Sequence, residues 1–213
     1  MRTLSKVCWF VLVVVAPAVA QSRLVSGPSP AVAGPAYDLS IGYSHLAMAV
    51  SSAKHVNLNG VDASGTVALG QRWGATVDTS YLRASNVLGT PHQAYVLTAH
   101  GGPVFYPIEH GNTRVFVRAL AGAALVDGAV PINATDYFHG WLLRPSYMFG
   151  GGVEHPISGQ LTVRVNGDYL RTSFYDAAGV AQPQNNLRVA VSFVFRLKER
   201  QHQFERGLFK SRE

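Results

Sequence analysis

The sequence predicts an all-β protein, an eight-stranded antiparallel up-and-down transmembrane β-barrel, and three observations carry that prediction. Apolar and polar residues alternate with a single parity through successive segments, the segments number eight, and the connections between them are compact and long in turn. Side chains of a strand point alternately to its two faces, so constant parity gives each segment one greasy and one wet face. Repetition of that pattern in segments of about 10 residues marks a lipid-spanning barrel more than a soluble sandwich.

The first strand, expected over 37–49, sets Tyr37, Leu39, Ile41 and Tyr43 against Asp38, Ser40 and Ser44. In the second, 58–70, Val61, Ala63, Val67 and Leu69 alternate with Asp62, Ser64 and Thr66. The third, 73–84, opposes Trp73, Ala75, Val77 and Tyr81 to Thr76, Asp78 and Ser80. The fourth and fifth, 93–106 and 112–126, are small or apolar on both faces, and their polar face is placed by His100, Arg114 and Arg118. Parity returns in the sixth, 139–153, where Trp141, Leu143, Tyr147 and Phe149 alternate with Arg144 and Ser146. The seventh, 159–172, sets Leu161, Val163, Val165 and Tyr169 against Thr162, Arg164, Asn166 and Asp168. In the eighth, 186–197, every odd residue from Leu187 to Leu197 is apolar, while Arg188, Ser192 and Arg196 are even.

Three connections are compact: Gln71-Arg72, 107–111 and 154–158. The other four, 51–57, 85–92, 127–138 and 173–185, are longer and rich in turn formers. Short turns at one end and long loops at the other are the layout of an outer-membrane barrel, and an even strand count leaves both chain ends on the short-turn side. Pro107-Ile108-Glu109-His110-Gly111 and Glu154-His155-Pro156-Ile157-Ser158-Gly159 echo each other, as two related hairpin turns would.

The flanks are not barrel. Arg2 and Lys6, the apolar run from Val7 to Val15 and Ala18-Val19-Ala20 form a secretory signal over 1–20, with cleavage expected after Ala20. Residues 21–36 are a Pro-, Gly- and Ser-rich lead-in, and 198–213 a charged tail. The single cysteine, Cys8, lies in the signal, so no disulfide is expected. The signal and the tail each contribute two of the six net positive charges, which leaves no basic stripe for nucleic acid. No run of about 18 apolar residues offers a membrane helix, and only helices or closed barrels satisfy every backbone polar group in lipid.

The two faces carry the candidate functional residues. Outward aromatics form two expected girdles, Tyr37, Trp73, Phe105 and Phe195 toward the short-turn rim and Tyr43, Tyr81, Tyr95, Trp141 and Tyr169 toward the other. Inward, Asp38, Asp62 and Asp78 sit on the first three strands, and Arg114, Arg118, Arg144, Arg164 and Arg188, with Asp168, on the last four. Closure brings the first strand beside the eighth, so these charges are expected to meet in an interior that side chains just fill. Guanidinium forks suit such a network.

Catalysis, cofactors and metals find no support. The eight histidines stand singly, without ligand spacing. Ser44 and His45 are adjacent, but neighbours on a strand face opposite ways and cannot form a dyad. The Asn133-Ala134-Thr135 sequon is treated as chance.

With its signal, its eight alternating segments, Asn185-Asn186-Leu187-Arg188 opening the last strand and Phe193-Val194-Phe195-Arg196-Leu197 closing it, the chain resembles the small bacterial outer-membrane β-barrel family, whose best-known member is the OmpA-like transmembrane domain. The resemblance covers 37–197 and implies an outer-membrane location, contact with outer-membrane lipid and a last strand read by the barrel-assembly machinery. It carries patterns of polarity, which specify architecture better than activity. The expected role is structural or surface-interacting, through the outer loops 127–138 and 173–185, with no extracellular ligand identified. A narrow porin-like pore, a lipid-modifying barrel enzyme and a soluble secreted β-sandwich are the alternatives.

Overall fold

The computed structural model describes residues 37–51, 54–110, 112–131, 137–177 and 180–197. The signal, the lead-in, the tail and the sequon lie outside them. The strands are β1 (Tyr37–Ser51), β2 (Lys54–Ala68), β3 (Trp73–Ala84), β4 (Ala94–His110), β5 (Thr113–Pro131), β6 (Tyr137–His139), β7 (Leu142–Pro156), β8 (Leu161–Ala177) and β9 (Val180–Leu197). All except β6 form the wall of a closed antiparallel barrel in chain order, and β1 pairs with β9 to complete it. β6 only returns along the end of β5. Among the described residues no helix is long and apolar enough to cross a membrane.

The ladders fix the size of the cylinder. From Ala47, successive partners are Leu187, Tyr169, Phe149 and Ala119. Ala119 faces Pro103, whose partners Ala75, Val67 and finally Tyr37 return the path to β1, ten residues from its start. For eight strands that stagger implies a tilt of ~40° and a backbone radius of ~8 Å, too narrow for anything but side chains inside. Partners share parity over most of the wall, so even residues face inward on every strand. Three register shifts near the rims interrupt this, between Ala49 and Ser51 on β1, between Phe105 and Ile108 on β4 and between Thr172 and Tyr175 on β8. The one on β4 turns even-numbered Ile108 outward.

The wall strands run further than the alternation indicates, and the connections shrink accordingly. The expected loop 173–185 is instead a hairpin, with β8 and β9 separated by two residues. Most of the expected loop 127–138 is likewise the end of β5 and the start of β6. The reason is β-favouring sequence with a buried anchor, since Phe174 inserts fully into the interior. The connection 85–92 keeps its length, winding through a 3-10 turn at Val87–Gly89, where Leu88 has φ 51°.

Along its axis the barrel reverses its polarity. Toward the end that carries Tyr37 and Leu197, the outward face is apolar and aromatic, with Leu39, Ile41, Val191 and Phe193 exposed, while the inward face is polar. Toward the opposite, distal end the interior becomes an apolar core of residues such as Leu46, Met48, Leu58, Leu82, Val96 and Phe174. There the exposed face turns polar at Asn57, Asn59, Arg83, Gln93, Arg171 and Asn185, interrupted by Trp141 and Leu143. Val87 of the 3-10 turn is fully buried in this core and so draws the 85–93 connection over the distal mouth.

Candidate functional site: the barrel interior and its outer face

The interior charges form two clusters stacked along the axis, and β5 alone reads out their order as Arg114, Phe116, Arg118 and Leu120. The central cluster joins β3, β5, β8 and β9. Arg118 donates from Nε and Nη2 to the two oxygens of Asp168 at 3.0 and 2.8 Å, and from Nη1 to Asp78 at 3.1 Å. Arg188 grips Asp78 through Nη1 and Nη2 at 2.8 and 3.0 Å, and its Nη2 also reaches Asp168 at 3.1 Å. Asn166 donates to Asp168 at 2.7 Å. Two guanidiniums thus meet two carboxylates in forked pairs, and the set is electrically neutral. All four side chains are at most 3 % exposed.

The second cluster lies nearer the end carrying the chain termini and is built on Glu154. This residue is fully buried and accepts from Arg164 at 2.9 and 2.7 Å and from Arg114 at 2.6 Å. Arg196 is 4.0 Å away, and Asp38 lies 3.6 Å from Arg114. Arg164 also spans the lumen from β8 to donate to Ser64 of β2 at 3.1 Å, and Ser64 bonds Ser40. Phe116 separates the tiers, with the guanidiniums of Arg118 and Arg164 at 5.8 and 5.2 Å from its ring centre. Such contacts screen a buried cation without adding charge.

The structure therefore brings Asp78, Arg118, Asp168 and Arg188 together, and separately Asp38, Arg114 and Arg164. Asp62 accepts from the Ser192 hydroxyl at 3.0 Å and, among the described residues, makes no hydrogen bond or ion pair with either cluster. Arg144 stands opposite Ala124 on the inward face of β7 and belongs to neither. Its expected place in one network is corrected by distance along the strand, because β7 reaches the clusters only at its other end. Sequence reasoning missed Glu154, which it left in a turn. β7 continues to Pro156, and the even number of Glu154 was the available signal. Gly150 supports the arrangement, because a Cβ there would collide with the Asp168 carboxylate.

Of the outward aromatics, Trp73 and Phe105 touch at 4.6 Å near the end carrying the termini, with Tyr37 and Phe195 exposed beside the barrel seam. Tyr81 and Tyr95 stack at 6.1 Å toward the distal end. Tyr43 and Tyr169 point outward lower on the wall and donate to Asn59 and Asn185 at 2.7 and 2.5 Å. These bonds lie where the outer surface turns from apolar to polar.

Two hydroxyl–imidazole pairs are formed among the described residues, an exposed one between Thr113 and His155 at 2.9 Å and a buried one between Ser146 and His100 at 2.7 Å. Ser146 and His100 are buried inside the barrel, at 0 and 2 % exposure, between the central cluster and the apolar core. The Ser146–His100 pair therefore faces the interior and not the outer surface. Ser44 is buried and inward, whereas His45 bonds Asn59 on the outer face at 2.7 Å, so the two do not act together.

No family model and no curated protein sequence matches the chain. Solved structures do match it. Ail, the attachment invasion locus protein of Yersinia pestis, crystallised with the heparin analogue sucrose octasulfate, aligns with 76 % of this chain and 99 % of its own, at 14 % identity and a TM-score of 0.53. Neisserial surface protein A aligns with 77 % of this chain and 99 % of its own, at 11 % identity and a TM-score of 0.54. The chain thus has the fold of these small eight-stranded barrels.

Proposed function

We propose that this chain is an outer-membrane barrel whose lumen is plugged by its own side chains and whose work is done at its distal, extracellular surface, without catalysis. The observation that carries the reading is the reversal of polarity along the axis. An apolar, aromatic outer face around a polar interior is stable only when lipid surrounds it. A polar outer face around an apolar core is what a cylinder needs once it rises into water. The barrel then spans lipid with its terminal part and projects its distal part as a capped, water-exposed stalk. The contact surface is the rim of long hairpins and the 85–93 connection, where binding residues ride on a rigid wall.

The plug argues for a structural or surface-interacting role over a pore. The central cluster, Phe116 and the Glu154 tier occupy a lumen of ~8 Å backbone radius, and their charges compensate one another. Fold likeness to a surface protein and an attachment protein agrees with a role at the cell surface and specifies no ligand. Two measurements test the proposal together. The expressed protein should fractionate with outer membranes and migrate faster on a gel before boiling than after. Reconstituted in planar bilayers, it should show no large, steady conductance. Recovery in the soluble fraction would overturn the membrane reading, and stable open steps would overturn the plug.

A further inference from the structure

The distal rim brings together two histidines that stand 47 positions apart in the sequence. The rings of His92, just before β4, and His139, ending β6, lie 5.5 Å apart between centroids and at 70° to one another. Tyr137 packs beside both, at 5.3 and 6.3 Å. We propose that this pair is a binding site for a divalent transition-metal ion of the zinc, copper and nickel class, displayed on the outer surface.

The spacing is that of two imidazoles sharing an ion. With a metal–nitrogen bond of ~2.1 Å and ~1.1 Å more to the ring centre, two imidazoles at a tetrahedral angle have centroids ~5.2 Å apart. The rings already sit near that separation. Both are exposed, so their nitrogens are open to an ion from solution and each ring can turn about its side-chain bonds.

The backbone under each ring is anchored. The His92 carbonyl accepts from the Val87 amide at 3.2 Å, tying it to a residue fully buried in the distal core. His139 pairs with Ala129 across the β5–β6 ladder, and the next residue, Gly140, turns at φ 122° while its amide bonds Gly128 at 3.3 Å. Tyr137 packs against the apolar core from the same short strand. Two imidazoles are thus held on two separate connections, and an ion binding both would clip the 85–93 connection to the β5–β7 hairpin. Imidazole favours these borderline ions over calcium or magnesium, and two protein ligands leave positions for water or for a donor from a partner.

The test is calorimetric titration of zinc chloride into the folded mature chain in detergent micelles, folding being verified by the gel shift on boiling. One zinc per chain is expected at micromolar affinity. His92→Ala and His139→Ala should each weaken it at least ~100-fold, a larger loss than disturbing an outer-shell partner brings. His55→Ala, an exposed histidine on β2, should leave it unchanged. If either alanine variant fails to fold, His92→Asn and His139→Gln should show the same loss. Copper(II) bound to the wild type should show two coordinated imidazole nitrogens by electron paramagnetic resonance. Absence of saturable zinc binding by the folded wild type, or binding that survives the double variant, would overturn the site and leave the pair as aromatic packing.

Discussion

Removing the Asp168 carboxylate is the most direct probe of the plug. Its two oxygens accept five hydrogen bonds, from Arg118, Arg188 and Asn166. Asp168→Ala leaves two guanidiniums, both almost fully buried, facing Asp78 alone. Breaking a buried ion pair from one side costs ~3–5 kcal/mol, because the surviving charge is neither solvated nor compensated. Asp62→Ala is the matched control, since it removes a buried carboxylate that accepts one bond from Ser192, and its cost should stay near ~1 kcal/mol. A double change, Asp168→Leu with Arg118→Met, keeps the forked Arg188–Asp78 pair and restores neutrality, so it should recover most of the loss. Urea unfolding of the refolded barrel, followed by tryptophan fluorescence and the boiled-against-unboiled gel shift, gives all four stabilities. A cost within ~1 kcal/mol of wild type for Asp168→Ala, or equal damage from Asp62→Ala, would show that the central cluster is not a desolvated, mutually dependent set of charges.

Three further outcomes are expected. Glu154→Gln removes the charge on which Arg164 and Arg114 converge and should cost ~3 kcal/mol in the same urea assay; a neutral result would mean that water already solvates the second cluster. Val191→Arg, on the exposed apolar face of β9, should cost ~2–4 kcal/mol in lipid vesicles if that face meets hydrocarbon, whereas an unchanged midpoint would place the face in water. Val87→Asp puts a charge in the distal core and should make the 85–93 connection a protease target in the otherwise folded barrel; resistance equal to wild type would show that Val87 does not hold it.

The wall was legible because its code is local. Alternation at one parity is written into most of the strands, and from Leu187 to Leu197 every odd residue is apolar. The fourth and fifth strands looked apolar on both faces for a physical reason. Val96, Leu120, Ala124 and Val126 line the distal core, while Leu97 and Val117 face outward, so the pattern there reflects two different apolar surroundings. Strand ends were underestimated because residues such as Tyr175, Gln182 and Gln184 continue the ladder beyond the lipid-type alternation. Glu154 was hidden by its neighbours Pro156 and Ser158, which read as a turn. The pairing of His92 with His139 depends on how two connections fold over the mouth, and no local pattern records it.

The central cluster also has a bearing on the order in which the barrel is made. Asp78 belongs to the third strand and Arg188 to the last, so their forked pair forms only when the seam between β1 and β9 shuts. Until then the four charges lie on an open sheet and keep their water. Dehydration is thus deferred to the final step of assembly, when every partner is in reach. A chain that lacks β9 would hold Arg118, Asp78 and Asp168 without the fourth member and without a closed wall to exclude solvent. The last strand to be synthesised is therefore the one that turns an open sheet into a latched cylinder.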